Sequence, residues 1–392
     1  MGLNDTPSAE RIHIGFFGLR NAGKSSLVNR IANQDISVVS EVKGTTTDPV
    51  RKTMELLPLG AVVIIDTPGY DDVGALGELR VNTTKKVLDS CDIAVLVTEN
   101  TEISPAENEL IGIFGEKKIP YIVAHNKSDI NGFSANTKTD IYVSATDNRG
   151  IEELKEAIGK NLNIKAKTVK LVADFISEGD TVILVTPIDA SAPKGRMILP
   201  QQQAIRDIID HNSVCVVVQV GELAAAINNL KNPPALVVTD SQAFKEVAQI
   251  VPREIPLTSF SILLARYKGF LDIAVKGAHE IDKLKDGAKI LVSEGCTHHR
   301  QCEDIGTVKL PKLLKKFTGK EFDFTFSSGH GFPDNLEEFD LILHCGACML
   351  GDKEVMSRMN KAGDSGVPIT NYGTAIAHMN GILDRSIEVI YK

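Results

Sequence analysis

The run Leu341-Ile342-Leu343-His344-Cys345-Gly346-Ala347-Cys348 ends an apolar, strand-type stretch abruptly in a histidine and two cysteines. The second cysteine lies three residues after the first, a turn that lets both sulfurs face one metal. Gly346 and Ala347 leave the backbone room to approach. Upstream, Cys296-Thr297-His298 follows another strand-like run, Lys289 to Glu294. Three cysteines and two histidines at the ends of two strands predict a metal or iron–sulfur site. Partly buried thiols and a helix-capping histidine are the structural alternative, because a C-x-x-C pair alone serves several chemistries.

A second chemistry sits near the N-terminus. Gly18-Leu19-Arg20-Asn21-Ala22-Gly23-Lys24-Ser25 is a full phosphate-binding loop, set between a strand and a helix that starts near Lys24. Gly18 and Gly23 allow backbone N–H groups, including that of Ala22, to turn inward around a phosphate, and the helix start carrying Ser26 adds its dipole. Lys24 offers a point charge for the β- and γ-phosphates and Ser25 a hydroxyl for Mg²⁺. Asp66-Thr67-Pro68-Gly69 ends the apolar run Ala61 to Ile65, so Asp66 can hold the metal's outer shell and the Gly69 N–H can sense the γ-phosphate. Asn126-Lys127-Ser128-Asp129 follows the strand Tyr121 to His125, and a carboxylate there selects guanine through two N–H donors. Ser144 and Ala145 follow a further strand and can close over the base. The polar stretch Gly44-Thr45-Thr46-Thr47-Asp48 supplies threonines for Mg²⁺. Together these ordered elements predict binding of GTP and GDP with Mg²⁺, and hydrolysis of GTP. The residue that positions water is left open, with Asp71 and Asp72 close enough to be candidates.

The elements that must position these groups are α/β throughout. The spacing predicts three domains: a P-loop GTPase domain over 9–165, a middle α/β dimerisation domain over 170–262, and a C-terminal α/β cluster-binding domain over 263–392. A polar, Lys-rich linker is expected from Asn161 to Lys170. In the middle segment, Thr181 to Val185, Val214 to Val220 and Ala235 to Thr239 read as strands. Pro200 to His211 and Asp240 to Ile250 read as helices, the latter with Asp240 as its cap. This segment contains no phosphate loop or Cys/His cluster, which points to association rather than catalysis. In the last segment Lys289 to Val292, Asp323 to Phe326, Asp340 to Leu343 and Val367 to Thr370 alternate with helices such as Pro311 to Thr318. Ligands of open α/β sheets bind beyond the carboxyl ends of strands, so the two Cys/His half-sites are expected to converge.

A chain of 392 residues exceeds one ordinary core, and 43% hydrophobic with 24% charged residues describes a globular protein. The net charge of −8 and a pI near 5.7 argue against a dedicated nucleic-acid binder. No apolar run reaches membrane-spanning length, and the first residues are polar. Six cysteines do not make a disulfide scaffold at this size, Cys91 and Cys215 lie in apolar runs as core thiols, and a reducing cytoplasm is expected.

The first 160 residues resemble the TrmE and Era group of GTPases, whose loops carry N-A-G-K-S followed by a G-T-T segment. That resemblance implies Thr46 as the switch threonine and Asn21 as a ligand for K⁺ in potassium-activated members. Tyr70 stands where Ras-like proteins place a water-orienting glutamine, which implies slow hydrolysis or help from a cation or partner. The whole chain, with its C-x-H … H-C-x-x-C motif, resembles the HydF family of GTPases that mature [FeFe]-hydrogenase. The resemblance implies a scaffold that carries a [4Fe–4S] cluster, accepts a di-iron precursor from the radical-SAM enzymes HydE and HydG, and hands it to apo-hydrogenase (HydA). It implies Cys296, Cys345 and Cys348 as cluster ligands, with His298 and His344 in or near the shell, and a homodimer or higher homo-oligomer. The fourth ligand stays open among His298, His344, Glu294, Glu303, Cys302 and solvent. A zinc-stabilised regulatory GTPase and an RNA-modification or ribosome-assembly GTPase are the competing readings.

Overall fold

The computed structural model describes residues 7–32, 49–57, 59–70, 75–100, 102–131, 136–162, 168–187, 197–295, 305–329 and 331–391. The chain forms two compact units, Met1–Lys165 and Ala166–Lys392. No helix among the described residues is long and apolar enough to cross a membrane.

The first unit is built on six strands: β1 (Ile12–Phe17), β2 (Val50–Leu56), β3 (Gly60–Asp66), β4 (Ile93–Thr98), β5 (Tyr121–His125) and β6 (Asp140–Tyr142). Their order is β2-β3-β1-β4-β5-β6, parallel except for the antiparallel edge strand β2. The central strand β4 is apolar up to its last residue, Thr98, and buried at every position, as expected for a sheet covered on both faces. One face packs on Leu27, Val28 and Ile31 of the helix Lys24–Ile31 and on Leu154 and Ile158 of the helix Ile151–Asn161. The other face packs on Val87 and Leu88 and on Leu110 and Phe114 of the helix Pro105–Glu116. That last helix begins with a capping box, in which Ser104 and Glu107 satisfy each other's backbone N–H groups.

The second unit holds two four-stranded parallel sheets. β7 (Thr181–Val185), β8 (Val214–Val218), β9 (Leu236–Thr239) and β10 (Leu257–Ser259) run in the order β10-β9-β7-β8. β11 (Ala288–Glu294), β12 (Phe322–Ser328), β13 (Leu341–His344) and β14 (Ile369–Asn371) run in the order β12-β11-β13-β14. One continuous core joins them, running from Ile183, Val237 and Phe244 through Phe270 and Ala274 to Leu291, Ile342 and Ile369. The helix Leu271–His279 lies against β14 so closely that a Cβ on Gly277 would meet the Ile369 carbonyl oxygen at 2.1 Å. From the helix Leu383–Tyr391, Arg385 donates to the carbonyls of Ala248, Val251 and Pro252 at 3.1, 3.0 and 2.7 Å. The helix Phe260–Tyr267 runs across the junction expected between residues 262 and 263.

Two expectations of detail are corrected. Asp240 does not cap a helix: the helix is Phe244–Ile250, its cap position is Ala243, and the Asp240 carboxylate accepts from Gln201 Nε2 at 2.7 Å. The turn at Asp240–Ala243 shifts the helix start beyond reach of the aspartate. Cys215 is only half-buried rather than a core thiol, because β8 is an edge strand that exposes Val214 and Val217.

Candidate functional site

The phosphate loop follows β1 and is held in its bend by close backbone contacts. Gly18 has φ +144°, and a Cβ there would sit 2.1 Å from the Val97 carbonyl oxygen. Asn21 adopts a left-handed φ of 64°, which asparagine tolerates better than most residues. Gly23 has φ +87°, and a Cβ would meet Asn126 Nδ2 at 2.2 Å. Lys24 is buried and donates to the carbonyls of Gly18 and Leu19 at 3.0 and 2.8 Å. Ser25 and Ser26, in the helix's first turn, are exposed.

Asp66 ends β3 beside Phe16 of β1. Ser25 Oγ donates to its Oδ2 at 2.5 Å, while its Oδ1 is buried without a hydrogen-bond partner. Burial raises the Asp66 carboxyl above its ordinary range, outweighing the Ser25 hydrogen bond and the nearby Lys24 and Lys52 charges. A hydroxyl and a carboxylate with one orphaned, buried oxygen form a donor set that suits a hard divalent cation such as Mg²⁺. Beyond Gly69, the Tyr70 N–H donates to the Gly18 carbonyl at 3.2 Å and its hydroxyl to Glu109 at 2.9 Å. Burial and the Glu109 carboxylate push that phenol up to about 12.

The guanine-side residues are tied to the phosphate loop by one buried side chain. Asn126 Nδ2 donates to the Ala22 carbonyl at 3.0 Å, and its Oδ1 accepts from the Ala145 N–H at 3.3 Å. Lys127 has a left-handed φ of 58° and pairs with Glu99. Asp129 stands exposed in the short helix Ser128–Asn131. The fully buried Ser144 accepts from the N–H groups of Thr146 and Asp147, both at 3.3 Å. Arg30, not singled out in the sequence, donates to the Ala145 carbonyl at 2.8 Å and closes the ring of contacts. The signal for it was weak, since a basic residue in a helix's last turn is commonplace. Thr46, with the whole segment 44–48, and Asp71 and Asp72 lie outside the described residues.

The C-terminal half-site sits where β11 and β13 end side by side. Ser293 pairs with His344, and the ladder continues as Cys345 N–H donates to the Ser293 carbonyl at 2.9 Å. Cys345 Sγ accepts from the N–H groups of Gly295 at 3.0 Å and Ala347 at 3.4 Å. Burial pushes the Cys345 thiol up, and those two N–H groups oppose the shift. Ala347 takes a left-handed φ of 55°, and the buried Lys268 reaches across to the carbonyls of Ala347 and Leu350 at 2.9 and 2.5 Å. Cys348 is half-buried on the same turn, and neither cysteine is in a disulfide. Gly295, the last described residue before the 296–304 segment, is thus in direct contact with the Cys345 sulfur. Cys296, Thr297, His298, Cys302 and Glu303 lie outside the described residues.

His344, expected in or near the cluster's shell, is held on both ring nitrogens by protein groups. It is wholly buried, with Nε2 3.1 Å from Arg358 Nη1 and Nδ1 2.8 Å from the Cys345 carbonyl. A guanidinium can only donate, so Nε2 accepts and the ring proton sits on Nδ1, facing the carbonyl. Burial, with the Arg358 charge behind it, pushes this imidazole down to about 3. Both ring nitrogens are engaged in this arrangement, and neither lone pair is left for a metal. Arg358 is itself fixed by the Gly329 carbonyl at 2.6 Å and Glu354 at 2.7 Å. The donor set at the turn, two thiols with N–H groups on one sulfur, fits a soft or borderline metal.

The fold and the loops of the first unit define a P-loop GTPase domain, and residues 13–127 match the family described as 50S ribosome-binding GTPase. Residues 171–269 match the hydrogen maturase F dimerization domain and residues 272–389 the hydrogen maturase F tetramerization domain, together more than half of the sequence. The chain belongs to the hydrogen maturase F family. The tRNA modification GTPase MnmE of Nitrosomonas europaea is 30% identical over 165 residues, covering 40% of this chain and 36% of its own. GTPase Era of Carboxydothermus hydrogenoformans is 32% identical over 160 residues, 37% of this chain and 53% of its own. The chain thus spans only about a third of the length of the MnmE relatives it matches. A crystal structure of Aquifex aeolicus Era covers 61% of this chain and 97% of its own, at 17% identity and a TM-score of 0.34.

Proposed function

We propose that this chain is a GTP-hydrolysing scaffold in [FeFe]-hydrogenase maturation, holding a [4Fe–4S] cluster and delivering a di-iron precursor to apo-hydrogenase. The observation that supports the reading is the Gly295 N–H donating to the Cys345 sulfur at the paired ends of β11 and β13, in a chain whose last two segments match hydrogen maturase F domains. The domain limits proposed are 9–165, 170–262 and 263–392, with HydE and HydG as donors of the precursor.

In this reading Cys296, Cys345 and Cys348 supply three thiolates, and the Gly295 and Ala347 N–H groups stabilise the charge on the Cys345 sulfur. Lys268 holds the turn by two of its carbonyls, and burial together with the Arg358 charge keeps His344 neutral and facing the backbone. His344 therefore orients the strand end, leaving His298, a carboxylate, Cys302 or solvent for a fourth position. When bound, a cubane cluster held by three thiolates supplies one iron with an exchangeable position. In the first unit Lys24 and the loop N–H groups bind the phosphates, while Ser25, Thr46 and Asp66 hold Mg²⁺. Asn126, Lys127 and Asp129 read the base, with Ser144 and Ala145 over it.

Cys345→Ser is expected to lose visible thiolate-to-iron absorbance in anaerobic protein while GTP hydrolysis stays near wild type. Lys24→Ala is expected to do the reverse, and both variants to fail in maturing apo-hydrogenase. Normal maturation by a Cys345→Ser protein without a cluster would overturn the scaffold reading, and zinc without iron in wild type would favour a regulatory GTPase.

We further propose that K⁺ completes the phosphate site through Asn21, whose left-handed backbone turns the loop there. A cation beside the β- and γ-phosphates neutralises charge that develops in the transition state. Hydrolysis should be faster in K⁺ than in Na⁺ at equal ionic strength, with the difference largely abolished in Asn21→Ala. Equal rates in the two salts sink the idea.

A further inference from the structure

Away from both sites, His279, Asp282 and His378 gather at one place on the second unit, each offering a ligand atom within 4.8 Å of the others. His279 is the last residue of the helix Leu271–His279, Asp282 lies in the short 3₁₀ turn Glu280–Lys283, and His378 is in the last turn of the helix Tyr372–Met379. His378 Nε2 lies 3.1 and 3.2 Å from the two Asp282 carboxylate oxygens. The His279 and His378 rings meet edge to face with centroids 5.1 Å apart.

The three side chains are exposed or half-exposed, yet their backbones are not free to wander. Ala278, Ile281 and Ala377, the immediate neighbours of the three residues, are each fully buried. Gly277 further fixes the first helix against Ile369. Such anchoring lowers the ordering cost of bringing three ligands to one point. Both helices end here, so their partial negative charges converge on the site and favour a cation. Phe317 flanks the His378 ring at a centroid distance of 5.8 Å, closing one side.

The position in the fold is equally specific. The helix Leu271–His279 leads toward the start of β11, and the helix Tyr372–Met379 runs back from the end of β14. The triad therefore lies at the amino-terminal edge of this sheet, whereas the cysteine turn lies at its carboxyl edge. A seven-residue strand separates the two edges by roughly 20 Å.

We propose that His279, Asp282 and His378 form a further metal site, binding a divalent transition ion of borderline softness such as Zn²⁺, Ni²⁺ or Co²⁺. Two imidazoles and one carboxylate suit such ions, and solvent fills the remaining positions. The ion takes the place of the direct contact between His378 Nε2 and the Asp282 carboxylate. It takes no part in the cysteine chemistry.

Co²⁺ is the probe, because thiolate coordination gives it an intense charge-transfer band that nitrogen and oxygen ligands do not. Full-length protein, with its nucleotide site filled by Mg²⁺ and GDP, is titrated anaerobically and followed by absorbance and calorimetry. One equivalent is expected to bind without the charge-transfer band, and to remain in Cys345→Ser. His279→Gln and His378→Gln should each weaken that equivalent by about tenfold or more, since even a supporting residue around a metal is worth 10–100-fold. Metal-free melting of both variants should match wild type, and only the metal-induced rise in melting temperature should disappear. Absence of a band-free equivalent in wild type, or its full retention in both variants, overturns the proposal and leaves a surface histidine–aspartate pair.

Discussion

Asp66 shows how one residue balances stability against chemistry. Its carboxyl is raised by burial, so the folded chain binds its proton more tightly than the unfolded chain does. The sign follows directly: its contribution to stability is complete at low pH and is lost as pH rises through the folded value. At neutral pH the ionised carboxylate, with Oδ1 buried and unbonded, therefore works against the fold until a cation is bound. Asp66→Asn should melt higher than wild type without nucleotide, and should lose most of the extra stability that Mg²⁺ and GDP confer on wild type. Calorimetric scans with and without Mg²⁺ and GDP measure both, and a lower melting temperature for the nucleotide-free variant would refute the account.

Among elements, the turn after β13 depends on a lysine from outside the sheet it belongs to. Lys268, just beyond the helix Phe260–Tyr267, is buried and donates to two carbonyls of the cysteine turn. Replacement by methionine keeps the apolar stem but leaves those carbonyls unsatisfied, a cost of about 1–3 kcal/mol. Lys268→Met should lower the denaturation midpoint by that amount and reduce iron retained after anaerobic desalting, with GTP hydrolysis unchanged. Iron content and stability equal to wild type would show that the clamp is dispensable.

For the whole molecule, the edge strand β8 presents apolar side chains that call for a partner. Val214 and Val217 are 52% and 43% exposed on a parallel edge that is unpaired among the described residues, a liability that proteins cover or charge. This strand lies within the segment that matches a dimerization domain. Val217→Lys should shift the homo-oligomer toward smaller species in light scattering at equal protein concentration, while the melting temperature of the separated species stays close to wild type. An unchanged mass distribution would place the association surface elsewhere.

What the sequence determined alone was contiguous chemistry. The loop Gly18–Ser25, the strand-ending Asp66 and the run Asn126–Asp129 are legible because each acts through neighbouring residues and a backbone shape that glycine and asparagine announce. The α/β alternation was legible for the same reason, since burial on both faces leaves apolar runs. Tertiary structure alone decided what distant side chains do with their lone pairs and protons. Asn126 spends its amide on the Ala22 carbonyl, Asp240 accepts from Gln201 instead of capping a helix, and Lys268 clamps a turn some eighty residues away. His344 illustrates the point most sharply: spacing placed it beside the thiols, but Arg358, fourteen residues on, occupies the nitrogen a metal would need. The triad His279, Asp282 and His378 was silent in the sequence because 96 residues separate its hydrogen-bonded pair. Only the packing of two helices on one sheet brings those atoms together, and a hydrogen bond's direction depends on where its partner stands in space.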